Sequence, residues 1–125
     1  AFSVDKIALC GITGVPPHKE IRKTAIGAEK SVDWEYHAST LDLVRELKKN
    51  GYVVIGVEQT SESKNLTKEL FTDQKTALVF GNEVDGVSNE VLEECDFCVE
   101  IPQFGTKHSF NISVSVALVL WEILR

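Results

Sequence analysis

The sequence has no methionine, three cysteines and no long apolar run among its 125 residues. Few cysteines, in an odd number, exclude the disulfide-dense scaffold of small secreted domains. No apolar stretch approaches the roughly 20 residues that a membrane-spanning helix needs, and the N-terminus lacks the basic segment of a signal peptide. These absences favour a protein of the reducing cytoplasm with no membrane span. Since the sequence also begins without methionine, we expect it to be a piece of a longer or processed chain.

The cysteine pattern gives little reason to expect a metal. Cys95 and Cys98 form a CxxC pair, but no second pair of cysteines or histidines stands at the spacing of a zinc site. We therefore interpret Cys95 as the end of a helix and Cys98 as a core residue of a strand. We therefore predict no metal site in this chain.

Basic residues are outnumbered by acidic ones, and the formal net charge is −6. This balance argues against binding of nucleic acid by charge over the whole chain, although it leaves room for a local basic patch. The best candidate for contacts with RNA phosphates is the cluster His18, Lys19, Arg22 and Lys23. A solvated helix face would have the same spacing.

Apolar runs with many β-branched residues alternate with segments of helical periodicity, which predicts an α/β fold. We predict one domain over residues 1–125, with a mostly parallel sheet covered by helices on both faces. The predicted strands are Val4–Cys10, Val32–Tyr36, Tyr52–Val57, Ala77–Phe80 and Phe97–Ile101. Residues 58–65 read as a polar loop with a possible helical turn before Phe71.

Capping residues predict where the helices begin and end. Ser39 precedes a helix that Gly51 terminates, and Ser88 precedes a short helix ending at Cys95. A helix is also predicted from His18 to Ala25, and a last one begins after Ser109 or Asn111. The apolar face predicted for this last helix comprises Val114, Ala117, Leu118, Trp121 and Leu124.

Two glycine-bearing turns follow the last two predicted strands. Gly81 to Gly86 comes directly after Phe80, and the second turn runs from Ile101 through Gly105 to Asn111. The carboxyl ends of parallel strands are where open α/β sheets bind ligands. The two loops therefore predict one composite pocket, to which Glu58 would belong because it follows the strand ending at Val57.

These loops carry the motifs of a known family. Gly81-Asn82-Glu83 with Gly86 resembles the second motif of the SpoU/TrmH class of the SPOUT family, whose members are RNA ribose 2′-O-methyltransferases. Ile101-Pro102, Gly105 and Ser109-Phe110-Asn111 resemble the third motif. The resemblance covers essentially the whole chain. It implies a C-terminal deep trefoil knot, S-adenosylmethionine bound in a bent shape, tRNA or rRNA as substrate, and a homodimer.

The resemblance also implies roles for particular residues. Catalysis would involve Glu83, Ser109 and Asn111, although Ser109 and Asn111 are equally suited to cap the last helix. The expected cofactor-binding residues are Glu58, Phe80, Gly81, Asn82, Gly86, Ile101, Pro102, Gly105, Phe110 and Asn111. Glu58 would contact the cofactor ribose, and a catalytic role for His108 is disfavoured because the family has no histidine there.

One family feature has no counterpart in the sequence. The first motif, an asparagine followed by a catalytic arginine, would precede Ala1, so we expect the first strand–helix unit to be missing and the arginine to come from outside this sequence. An alternative is therefore a catalytically silent SPOUT-like dimer that binds RNA or cofactor. A third reading, an unrelated nucleotide-binding or receiver-like domain, is disfavoured because Gly11-Ile12-Thr13-Gly14 lacks the lysine of phosphate-binding loops.

Overall fold

The structure of the chain, a computed structural model, describes residues 5–10, 33–71, 74–81, 86–104 and 112–124. Its contacts divide the chain into two compact units, residues 1–43 and 44–125, which are described separately below. It stays a prediction that residues 1–125 form one domain and that this domain lacks its first strand–helix unit. The α/β class with parallel strands is confirmed.

The first unit contains two short parallel strands. Strand β1, Lys6–Cys10, pairs with β2, Asp33–His37, and Ile7 lies opposite Trp34. Both strands were predicted. The apolar run Ile7-Ala8-Leu9 is typical of a strand buried on both faces, and that expectation is wrong, because Lys6 to Ala8 are exposed, Ile7 at 44%. Apolar composition indicated the strand but could not indicate how much of its surface is exposed. The helix predicted from His18 to Ala25 lies outside the described residues.

Helix α1, Thr40–Lys49, has the predicted caps. The backbone N–H of Asp42 donates to Ser39 Oγ at 3.2 Å, which satisfies one of the free donors of the first turn. Gly51 has a φ of +86°, the left-handed conformation that commonly ends a helix. Val44 anchors the helix in the core, with 1% of its surface exposed.

The second unit is built on a four-stranded parallel sheet. Its strands are β3, Val53–Val57; β4, Lys64–Asn65; β5, Thr76–Phe80; and β6, Phe97–Glu100. Their order in the sheet is β4-β6-β3-β5. Val54, Ile55 and Val99 form its buried centre.

Strand β4 was missed because both of its residues are polar and exposed, so no apolar pattern marks it. It forms through its pairing with Val99 and Glu100 of β6. A 3₁₀ turn follows at Lys68–Leu70, where the sequence predicted a possible helical turn.

Helix α2, Asn89–Glu94, packs directly on β3. Its cap is Ser88, whose Oγ accepts the N–H of Val91, as predicted. Gly56 allows this close packing: a Cβ atom there would lie 3.1 Å from Cys98 Sγ and 3.3 Å from Leu92 Cδ2. The carbonyl of Glu94 accepts a hydrogen bond from Lys48 Nζ at 2.8 Å, which ties the ends of α1 and α2 together.

Helix α3, Ile112–Leu124, exposes in the single chain the apolar face that its spacing predicted. Trp121 is 60% exposed and Leu124 is 56% exposed, whereas Val119 is fully buried. Trp121 is therefore not a core residue of the single chain. Since α3 has apolar side chains on all of its sides, the spacing of its apolar residues could not identify the buried side.

None of the described helices is long and apolar enough to cross a membrane. The cytoplasmic location stays a prediction.

Asp96 joins the amino ends of β3 and β6. Its carboxylate accepts the N–H of Val54 at 2.7 Å, and its own N–H donates to the Val54 carbonyl at 2.7 Å. Asp96→Ala leaves the N–H of fully buried Val54 without this acceptor, so we expect the free energy of unfolding to fall by about 1–3 kcal/mol. Urea unfolding measures this change. Asp96→Asn keeps an acceptor oxygen and is expected to recover most of the loss, and equal losses in the two variants would contradict this account.

Candidate functional site

Three neighbouring strands end at the same edge of the second unit's sheet. Strand β3 lies between β5 and β6, and Val57 is in register with both Phe80 and Val99. The chain therefore leaves β3 at Glu58, β5 at Gly81 and β6 at Ile101 from one edge. Ligands of open parallel sheets bind at this edge. The structure thus brings together the strand ends from which both glycine-bearing loops depart.

The ends of the first loop lie against each other. A Cβ atom on Gly81 would overlap the carbonyl carbon of Gly86 and the nitrogen of Val87. Gly86 has a φ of +65°, which favours glycine, and a Cβ there would overlap a carboxylate oxygen of Glu58. Close backbone approach therefore requires glycine at position 81, whereas the positive φ favours it at position 86. Asn82, Glu83 and Asp85 lie outside the described residues.

The described start of the second loop contains an unsatisfied buried atom. Ile101 is half-buried and Pro102 is exposed. Gln103 follows, and its side-chain oxygen is buried and has no hydrogen-bond partner among the residues that the structure describes. Buried polar atoms are almost always paired, so this oxygen suits a donor brought by a ligand. Phe104 is 97% exposed, an unusual position for a large apolar ring beside such an edge.

The carboxylate of Glu58 accepts hydrogen bonds from backbone N–H groups at this edge. Its Oε2 accepts the N–H of Val87 at 2.9 Å, and its Oε1 accepts the N–H of Gln59 at 3.2 Å. Its charge also helps to raise the pKa of the Cys98 thiol, although burial of Cys98 is the larger cause. Sequence reasoning missed Val87 and Gln103. The contact of Val87 uses only its backbone N–H, so no side-chain pattern could have identified it.

The predicted site residues divide into two groups. Those that the structure places on the shared edge are Glu58, Phe80, Gly81, Gly86, Ile101 and Pro102. Those that lie outside the described residues are Asn82, Glu83, Gly105, Ser109, Phe110, Asn111, His18, Lys19, Arg22 and Lys23. The roles assigned to both groups stay predictions.

The two cysteines of the CxxC pair flank Gly56 from α2 and β6, and both are free thiols. Cys95 Sγ donates to the Val91 carbonyl at 3.3 Å. Burial, together with the nearby Cys98 and Asp96, raises the pKa of Cys95 from 9.0 to about 11. Across the described ranges, no cluster of three or more His, Cys, Asp or Glu residues is arranged to hold a metal.

The raised pKa of Cys95 makes stability depend on pH in the alkaline range. An unfolded chain loses this thiol proton near pH 9.0, whereas the folded chain retains it up to about pH 11. The contribution of Cys95 is therefore fully present below pH 9 and is lost as the pH rises towards 11. Urea unfolding from pH 8 upwards is expected to show a smaller decline in Cys95→Ala than in the unmodified protein. An identical decline in the two proteins would contradict the raised pKa.

Comparison with known proteins gives consistent matches. A family model described as the SpoU rRNA Methylase family matches residues 1–121. A mouse tRNA (guanosine(18)-2'-O)-methyltransferase, TARBP1, is 42% identical over 85 residues, which are 68% of this chain and 5% of that protein. The 23S rRNA (guanosine-2'-O-)-methyltransferase RlmB of Neisseria meningitidis serogroup B is 38% identical over 105 residues, 84% of this chain and 41% of its own length.

A solved structure shares the fold. The crystal structure of the A. aeolicus TrmH/SpoU tRNA modifying enzyme matches with a TM-score of 0.86 and 29% sequence identity, over 99% of this chain and 62% of that one. The chain thus spans less than two thirds of each of these relatives.

Proposed function

Because this chain belongs to the SpoU rRNA methylase family, which its match over residues 1–121 establishes, we propose that it transfers a methyl group from S-adenosylmethionine to a ribose 2′-hydroxyl of tRNA or rRNA. The family match also removes the reading as an unrelated nucleotide-binding or receiver-like domain. The observation that carries the proposal is the common edge from which β3, β5 and β6 release Glu58, Gly81 and Ile101.

The described residues fit a small ligand at this edge. Gly81 and Gly86 bring two segments of backbone into contact at this edge, which residues with side chains could not do at Gly81. The unpaired oxygen of Gln103 offers an acceptor for the adenine amino group. Ile101 and Pro102 would present backbone groups to the same ring, and Phe80 would close the pocket from the end of β5. Gly105 and Phe110 would complete it.

When bound, S-adenosylmethionine supplies an electrophilic methyl group on a sulfonium sulfur. The chain's own residues then have to orient the ribose hydroxyl, take part in removing its proton and keep water out. Glu83 would accept a hydrogen bond from the hydroxyl or from a catalytic arginine, and Ser109 and Asn111 would hold the substrate or that arginine. The reaction would convert the ribose 2′-hydroxyl to a methoxy group, with S-adenosylhomocysteine and the released proton as the other products.

RNA is the proposed partner because the mouse and the Neisseria relatives are both named as 2′-O-methyltransferases that act on guanosine in RNA. The basic cluster His18, Lys19, Arg22 and Lys23 would contact phosphates, which would compensate locally for the net charge of −6. We further propose that the C-terminal part carries the family's deep trefoil knot. Strand β6 lies between β3 and β4, which both precede it in sequence, and this order is compatible with such a knot.

A homodimer is proposed from the same family. The exposed apolar side chains of α3, including Trp121 and Leu124, support it, because contiguous exposed apolar side chains mark interaction surfaces.

A methylation assay on the full-length protein tests this function. Unmodified tRNA and rRNA are incubated with S-adenosylmethionine labelled in its methyl group, then digested to nucleosides. We expect label in a 2′-O-methylated nucleoside, with guanosine as the first candidate. Label in a base would contradict ribose chemistry. Cofactor binding without methylation of any RNA would favour the catalytically silent module instead.

A further inference from the structure

The backbone of Glu58 is held on both sides at the end of β3. Its N–H donates to the Val99 carbonyl of β6 at 3.1 Å, and its own carbonyl accepts from Ser63 Oγ at 2.6 Å. These bonds fix the origin of the side chain relative to the sheet. The carboxylate of Glu58 therefore starts from a defined position at the centre of the shared edge.

Both carboxylate oxygens of Glu58 are engaged by backbone donors. The bond from Val87 N–H to Oε2 is 2.9 Å long and joins residues 29 positions apart, whereas the bond from Gln59 N–H to Oε1 is local. Hydrogen bonds to a charged acceptor are stronger than those between neutral groups. The long-range bond thus connects β3 to the segment that leads into α2.

A side chain at position 86 would displace the same carboxylate. Gly86 has a φ of +65°, and a Cβ atom on it would overlap Glu58 Oε2. Gly86 in turn lies against Gly81, whose own Cβ would overlap the Gly86 carbonyl carbon. Contacts therefore run from Glu58 to residues 86–87 and from there to Gly81, so that one carboxylate fixes where both ends of the 81–87 loop meet.

We propose that Glu58 is a positioning residue that holds the ends of the 81–87 loop through the N–H of Val87, rather than a ligand of the cofactor ribose. The inference rests on the proposed function, because the loop matters to catalysis only if it forms part of the cofactor site. It differs from the expectation of a direct ribose contact, because the carboxylate already accepts two backbone N–H groups, one of them from the segment that ends the loop. Substitution of a direct ribose contact weakens only a ligand that has the ribose hydroxyls, whereas substitution of a positioning residue weakens ligands with and without them.

The test combines two measurements on the full-length protein and its Glu58→Ala and Glu58→Gln variants. The first is hydrogen exchange of the Val87 amide by NMR without ligand. The second is the affinity for S-adenosylhomocysteine and for its analogue without the ribose 2′ and 3′ hydroxyls. Asp96→Ala is the matched control, because it removes a carboxylate that accepts a backbone N–H at the opposite end of β3.

We expect Glu58→Ala to speed exchange at Val87 and to weaken both ligands by the same factor, at least about tenfold, as for loss of one hydrogen bond to a charged group. Glu58→Gln keeps one acceptor oxygen for the N–H of Val87 but loses the charge and the second acceptor, so it is expected to lose less affinity than Glu58→Ala. Asp96→Ala is expected to lower stability and leave both affinities unchanged.

Three results would overturn the inference: unchanged exchange at Val87 in Glu58→Ala, a loss of affinity confined to the ligand that has ribose hydroxyls, or an equal loss in Asp96→Ala. Failure of the unmodified protein to bind either ligand would instead refute the proposed function, and the positioning role in cofactor binding with it. The exchange measurement would then still report whether Glu58 holds Val87, which distinguishes the two failures.

Discussion

Gly81→Ala is expected to abolish cofactor binding while the sheet still folds. The added Cβ would overlap backbone atoms of Gly86 and Val87, which cannot rotate away as a flexible side chain could. The two ends of the 81–87 loop would have to move apart. The edge formed by β3, β5 and β6 would then lose the loop that carries the second motif. We expect the affinity for S-adenosylhomocysteine to fall at least about 100-fold, which is about 3 kcal/mol.

Equilibrium dialysis measures this loss, and Gly51→Ala is the matched control. Gly51 also has a positive φ, +86°, but a Cβ there would meet nothing within 4 Å. That variant is expected to lose about 1 kcal/mol of stability through backbone strain and to bind the ligand normally. Binding by Gly81→Ala within about threefold of the unmodified protein would show that the loop is not part of the site.

The double variant Leu118→Glu/Trp121→Glu is expected to convert a dimer into folded monomers. Both side chains are exposed in the single chain, Leu118 at 38% and Trp121 at 60%. If they are buried between two copies, two carboxylates from each chain would have to lose their hydration in an apolar contact, which costs several kcal/mol per ion. The fold itself should persist, because Val119, the fully buried residue of α3, is unchanged.

Analytical ultracentrifugation measures the change in mass, and circular dichroism measures whether the variant is folded. Trp121→Phe keeps an apolar aromatic ring and is expected to remain dimeric. If the unmodified protein is monomeric, the proposed dimer is excluded. If the double variant remains a dimer, the contact between the two copies lies elsewhere.

Local signals in the sequence predicted the elements that form the site. The apolar β-branched run of β3 stands out without any context, and Ser39, Ser88 and Gly51 occupy the cap positions that their side chains and conformations favour. The order of strand, glycine and polar residues at Gly81 and Ile101 then predicted two loops at one edge. Each of these inferences depends on interactions within a few residues.

Other features depend on contacts that no local pattern encodes. Strand β4 consists of two polar residues and exists because β6 is adjacent to it. Exposure of Ile7 and Trp121 depends on what covers them, and an apolar side chain looks the same in a core and at an interface. The bond from Val87 to Glu58 uses a backbone donor, which every residue except proline has.

The measurement that tests the central claim most directly is calorimetric titration of the protein with S-adenosylmethionine. A cofactor pocket at the shared edge of β3, β5 and β6 predicts saturable binding, with one site per chain and a dissociation constant in the micromolar range or tighter. The same titration on Gly81→Ala should show an affinity at least about 100-fold weaker. A folded protein that shows no saturable binding at millimolar cofactor, or binds equally well as Gly81→Ala, would contradict the claim that these loops form the cofactor site.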